Sequence, residues 1–146
     1  MLDSNFSPDA PLGLQLASAS RRWRSNLDER MQPLGLTQSR WEVLMQIERL
    51  GEGVIQSLLA SALCIEMPSL SRSLDQLEAQ GLVVRQCSNS DKRARTVHFT
   101  PAGRALQREA EAVRQQVVKE TLAGISEEEL GHFTRVLQKL SRNLVR

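Results

Sequence analysis

The densest chemistry in the sequence lies between Arg85 and Arg95, where Arg85, Lys92, Arg93 and Arg95 stand against a single acid, Asp91. That stretch carries +3, so with an overall formal charge of +2 the rest of the chain carries −1. A basic spike on a near-neutral body is a local contact element for a polyanion rather than a generally adhesive surface. The arginines sit among small residues, Ser88 to Ser90 on one side and Ala94 on the other, so one of them can enter a narrow minor groove. Asp91, two residues before Arg93, can hold that guanidinium extended by a charge-assisted hydrogen bond. A second constellation lies upstream. On a helical projection Leu70, Leu74 and Leu77 share one side, while Ser69, Arg72 and Gln76 gather on another. Small polar side chains with one arginine and one glutamine suit a major groove, where Arg pairs with guanine and Gln with adenine. Pro68, Ser71 and Arg85 complete the candidate contact set. Each feature alone also fits a solvated surface. Together they favour nucleic acid.

Other chemistries find little footing. Cys64 and Cys87 form no CxxC pair, and His98 and His132 are the only histidines, well short of four converging zinc ligands. Cys64 falls in a helix-turn-helix segment, where a small buried apolar residue is expected. Cys87 ends a strand and is the candidate for a redox-sensitive thiol. Neither histidine has a Ser, Cys or paired carboxylate at catalytic spacing, and no Gly-rich phosphate loop occurs, so an enzyme is not expected. No cofactor is expected either. The chain lacks the run of ~18 apolar residues that a membrane span needs. Met1 to Pro11 has no basic n-region, so a signal peptide is not expected and the cytoplasm is the expected compartment. At 146 residues, with 40% hydrophobic and 25% charged, the composition fits one globular domain.

The two constellations need elements to position them. Leu12, Leu16, Ala19, Trp23 and Leu27 mark a first amphipathic helix that ends near Met31, before Pro33 and Gly35. Thr37 is the expected N-cap of a second helix carrying Trp41, Leu44, Met45 and Ile47, and Gly51 stops it. A short third helix follows with Ile55, Leu58, Leu59 and Ala62 on one face. After a turn near Cys64, a fourth helix runs from about Pro68 to Gln80, with Gly81 beyond it. The period then becomes extended. Leu82 to Arg85 and Thr96 to Phe99 read as a hairpin with a long tip, Ser88 to Arg95. Thr100-Pro101 opens a long helix with Leu106, Ala110, Val113 and Val117 on one stripe, and Gly124 ends it. A capping box, Ser126 to Glu129, starts the last helix, whose stripe is Leu130, Phe133, Leu137, Leu140 and Leu144. The expected fold is therefore mainly α (α+β), a winged helix-turn-helix flanked by N- and C-terminal helices. The stripes of the first and last helices are too apolar to stay exposed around so small a body, so a homodimer is expected.

The stretch MPSLSRSLDQLEAQGLVVRQCSNSDKRARTVHFTPAGRAL resembles the recognition helix, wing and following helix of the MarR family of bacterial transcription regulators. The Asp-Lys-Arg-Ala wing and the Thr-Pro-Ala-Gly helix start both match the family pattern. MQPLGLTQSRWEVL and RSLDQLEAQGLV resemble its SlyA branch most. The resemblance runs from about Leu12 to the C-terminus. It implies one domain over 1–146, with a winged-helix part at about 37–100 and dimerisation helices at about 10–32 and 101–146. It also implies double-stranded DNA and a second copy as partners, with Arg72 in the major groove and Arg93 in the minor groove. Relatives of this kind often hold a small aromatic carboxylate between the dimer helices and the winged helix. The matching positions here are Trp23, Arg24, Ser39 and Trp41, where an indole could stack on the acid and the arginine pair with it. Met45 stands where close relatives carry a histidine, so the resemblance does not carry over the same ligand. The plainer reading is that both tryptophans are core residues. A winged helix used only for protein contacts, or a thiol-redox module, remains the alternative. A protein-binding wing, however, has no reason to concentrate arginines.

Overall fold

Proline and glycine punctuation sets the boundaries of the elements in this computed structural model, which describes residues 7–88, 90 and 94–145. The order is α1 (Leu12–Met31), a 3-10 turn (Gln32–Leu34), α2 (Gln38–Leu50), β1 (Val54–Ile55), α3 (Gln56–Leu63) and α4 (Met67–Ala79). Then come β2 (Val83–Cys87), β3 (Arg95–Phe99), α5 (Pro101–Thr121) and α6 (Glu127–Leu144). This is the expected winged helix-turn-helix, with α3 and α4 as the helix pair and β2–β3 as the wing. Pro68 occupies the first turn of α4, where its missing N–H costs nothing. Gly81 takes φ +73 just past the helix, which lets the Leu82 N–H reach back 2.9 Å to the Leu77 carbonyl. Among the described residues no helix is long and apolar enough to cross a membrane.

The core lies where α2, α3 and α4 meet the sheet. Leu44 and Ile47 of α2, Leu59 of α3, Leu70, Leu74 and Leu77 of α4, and Val83 and Val97 of the strands are all buried together. Ala110 and Val117 of α5 join them, so the long helix is packed onto the winged body. The predicted apolar stripe of α4 is thus the one that faces inward. The sheet order is β1-β3-β2, antiparallel throughout, with Val83 opposite Phe99, Arg85 opposite Val97 and Cys87 opposite Arg95.

Two expectations are corrected. Ile55 does not belong to the third helix; it sits in β1 opposite Thr96 and is exposed, as is Leu58. The buried face of α3 is instead Gln56, Leu59 and Ala60. A strand of two residues is too short to show alternation, so its residues were absorbed into the neighbouring helical pattern. Cys64 is likewise exposed rather than buried. It ends α3 at φ +55, a left-handed position that stops the helix and turns its side chain outward.

Candidate nucleic-acid interface

The outer face of α4 presents Pro68, Ser69, Arg72 and Gln76 to solvent, opposite the buried leucines. No bulky or acidic side chain interrupts this stripe. The face is polar, small and carries one positive charge, which suits insertion into a major groove.

Arg85 is placed differently from what its position in the basic stretch implied. It lies at the root of the wing on β2, and its side chain is only 7% exposed. Its Nε donates to Glu78 Oε1 at 2.8 Å, its backbone N–H donates to the same oxygen at 3.1 Å, and a second guanidinium nitrogen pairs with Asp75. Ser71 Oγ lies 3.4 Å from the guanidinium and is half-buried beside it. Arg85 therefore ties the wing strand to α4 and offsets one of the two negative charges that α4 carries there. Asp75 and Glu78 lie off the groove-facing stripe. The signal available was a Glu and an Arg bracketing the Gly81 turn, but their pairing needs the turn geometry.

The hydrogen bond from Arg85, with its positive charge, holds the Glu78 carboxyl below its usual 4.5. A depressed carboxyl pKa adds stability that is present above the unfolded value and is lost as pH falls through the folded one. Glu78→Gln should therefore lower stability at neutral pH, and the gap from the native chain should close as pH drops below 4.5. Denaturant titrations across that range would show a constant gap if Glu78 were merely solvated.

The wing itself is closed at its base by the Ser88 N–H donating to the Ala94 carbonyl at 2.8 Å. Arg95 is exposed on β3. Asp91, Lys92 and Arg93 lie outside the described residues. Beyond the wing, Thr100 locks the start of α5. Its hydroxyl donates to the Gly81 carbonyl at 2.6 Å and accepts from the Gly103 N–H at 3.0 Å, so one side chain caps the helix and fastens it to the end of α4.

A crevice of about 630 Å³ opens between α1, α2, α5 and α6. Trp23, Arg24, Trp41 and Met45 all line it, together with Phe133 and Leu137 of α6, which the sequence reading had not included. Ser39 does not reach it; that residue borders a separate hollow with Asp28 and Thr37. Trp41 is buried, as a core tryptophan would be, yet its indole N–H has no acceptor among the described residues. Trp23 is exposed at the edge.

Residues 36–94 match the sequence profile of the MarR family. Among solved structures the chain is similar to the transcriptional regulator PA3341, at 40% identity and TM-score 0.86, over 92% of this chain and 98% of that one. It is also similar to a cysteine-to-serine mutant of MarR from E. coli complexed with operator DNA, at 26% identity and TM-score 0.80, over 89% of this chain and 93% of that one. CouR from Rhodococcus jostii RHA1, bound to p-coumaroyl-CoA, shares the fold at 24% identity and TM-score 0.82, over 92% and 94% of the two chains.

Proposed function

The chain belongs to the MarR family of transcriptional regulators, which are not enzymes, and we propose that it works as a cytoplasmic homodimer reading pseudo-palindromic, A/T-rich DNA. The SlyA-like motifs in α2 and α4 support a place in that branch. One observation carries the DNA-reading assignment: the Ser69, Arg72 and Gln76 face stands clear beside the wing, while Arg85 pairs with the neighbouring Asp75 and Glu78 and draws those acids toward the wing strand. In this reading α4 enters the major groove, Arg72 and Gln76 meet base edges, and Pro68 and Ser69 approach the backbone. Arg93, Lys92 and Arg95 follow the minor groove, with Asp91 orienting Arg93. Arg85 acts by holding the wing against α4.

Arg72→Ala should cost about 1–3 kcal/mol in affinity and relax base choice within the half-site. Arg93→Ala should weaken binding chiefly at sites flanked by a narrow A/T-rich minor groove. Gel-shift titrations on paired sites that differ only in their flanks separate the two effects. An unchanged flank preference in Arg93→Ala removes wing insertion from the account.

A second observation supports control by a small aromatic carboxylate in the crevice. Its volume is within the usual ~300–1,000 Å³ of ligand pockets, and the unpaired Trp41 N–H offers a donor to an acid oxygen. Arg24 supplies the countercharge and Trp23 a stacking face. The ligand can lower DNA affinity only by its preference for a dimer whose two α4 helices no longer match the groove spacing. Titrating salicylate should quench tryptophan fluorescence and release DNA over one concentration range. Quenching that persists in the Arg24→Ala, Trp41→Phe double variant would place the ligand elsewhere.

A further inference from the structure

A second hollow, of about 350 Å³, runs along the opposite part of the α2–α5 contact and shares no lining residue with the crevice. Its walls are Glu48 of α2 and one face of α5 that includes Arg104, Gln107, Arg108 and Glu111. Gln107 is only 3% exposed, yet both polar atoms of its amide are buried without a hydrogen-bond partner among the described residues. A buried donor and acceptor left together unpaired are rare, because each forfeits its bond to water. An apolar side chain would fill the same space without that loss. The neighbouring charges divide into two sets. Arg104 is paired with Glu52, while Glu111 is held by Arg114 and accepts from Gln115. Glu48 and Arg108 have no ion-pair or hydrogen-bond partner among the described residues. The groups open to a ligand are thus the buried, unpaired Gln107 amide and the solvent-exposed Glu48 carboxylate and Arg108 guanidinium, on a lining whose formal charges cancel.

We propose that this hollow binds a small zwitterion of the α-amino-acid type, because the buried, partnerless Gln107 amide shares its wall with the exposed opposite charges of Glu48 and Arg108. The guanidinium takes the ligand carboxylate as a forked pair, Glu48 takes the ammonium, and a turn of the Gln107 side chain brings its amide onto the polar remainder. An ion of one sign would meet as much repulsion as attraction on such a lining. A single water would fill only a small part of the space. The ligand bridges α2 of the winged body and the long helix α5, so its occupancy stiffens the junction between them.

The test uses the full chain and the standard L-amino acids at millimolar concentration, with their primary amides and decarboxylated amines as controls. At least one amino acid should raise the melting temperature and shift the Gln107 side-chain amide resonances, and neither control should do so. Arg108→Ala and Glu48→Gln should each weaken that binding about tenfold or more, and Gln107→Leu should abolish it while folding normally in the absence of ligand. If Gln107→Leu does not fold, the Gln107 resonances of the native chain decide. No response to any amino acid overturns the proposal, as does a response equal for amino acid and amine. A Gln107 amide that contacts only a long-lived water replaces the ligand with solvent and overturns it equally.

Discussion

Gly103→Ala should unfold the protein at markedly lower temperature, although it adds one methyl group to a helix. A Cβ at this position would lie 1.8 Å from the Leu82 carbonyl oxygen and 2.7 Å from its carbon. Those are backbone atoms, fixed by the Leu82 N–H bond to Leu77 and by the Thr100 N–H bond to the same Leu82 carbonyl at 3.1 Å. No side chain can swing aside to make room. Overpacking costs about 1–3 kcal/mol when side chains can adjust, and here the upper end is expected. That corresponds to a melting temperature lower by roughly 6–12 °C. Gly13→Ala is the control, since nothing lies within 4 Å of its added carbon; helix propensity alone should make it neutral or better by up to about 1 kcal/mol. DNA affinity should fall with Gly103→Ala, because the displaced junction carries both α4 and the wing. Equal melting temperatures for the two variants would mean that α5 does not press on the α4–β2 turn as described.

The double variant Phe133→Asp, Leu137→Asp should dissociate the dimer. Helix α6 buries no residue within the protomer, although its capping box is complete and Phe133, Val136 and Leu137 form an apolar stripe. Leu144 at its end is 80% exposed, and Leu12 at the start of α1 is 61% exposed. In the proposed homodimer, these two amphipathic helices with outward apolar stripes find their partner in a second copy. Full burial of a Leu or Phe side chain is favourable by about 1.5–3 kcal/mol. Phe133 is 52% and Leu137 36% exposed in one copy, so association buries only about half of each; with each substitution acting twice in a two-fold dimer, the four lost side chains remove roughly 3 kcal/mol or more, about two decades of dimer affinity. Light scattering should give the monomer mass, and affinity for a palindrome should collapse toward that for a half-site. A variant that stays dimeric would move the interface away from α6.

The scaffold was largely legible because its signals are local. Thr100-Pro101, Ser126 with Glu129, and the glycine after α4 each fix a helix end through bonds spanning only a few residues, and all three form as read. The inward stripe of α4 was equally readable, since Leu70, Leu74 and Leu77 report one helix packed on one core. What escaped notice depends on distant partners. β1 exists only because β3 offers it an edge, and two residues carry no period of their own. Arg85 looked like one more cation of the wing until the turn at Gly81 brought Glu78 and Asp75 to it. Cys64 looked like a packing residue because its neighbours are apolar, but a left-handed backbone at that position points it outward. The same limit applies to the crevice. Trp23, Arg24 and Trp41 do meet, whereas Ser39, two residues before Trp41, is carried to another side of α2.

Selection of bound sequences from random double-stranded DNA tests the central claim most directly, because it assumes neither the target nor the effect on transcription. The account predicts enrichment of an inverted repeat whose half-sites are centred about one helical turn apart, ~34 Å along the axis. The flanks should be rich in A/T, and Arg72→Ala should lose preference inside the half-sites while keeping the spacing. A pool with no enriched motif, or a single asymmetric site occupied by one protomer, would contradict it.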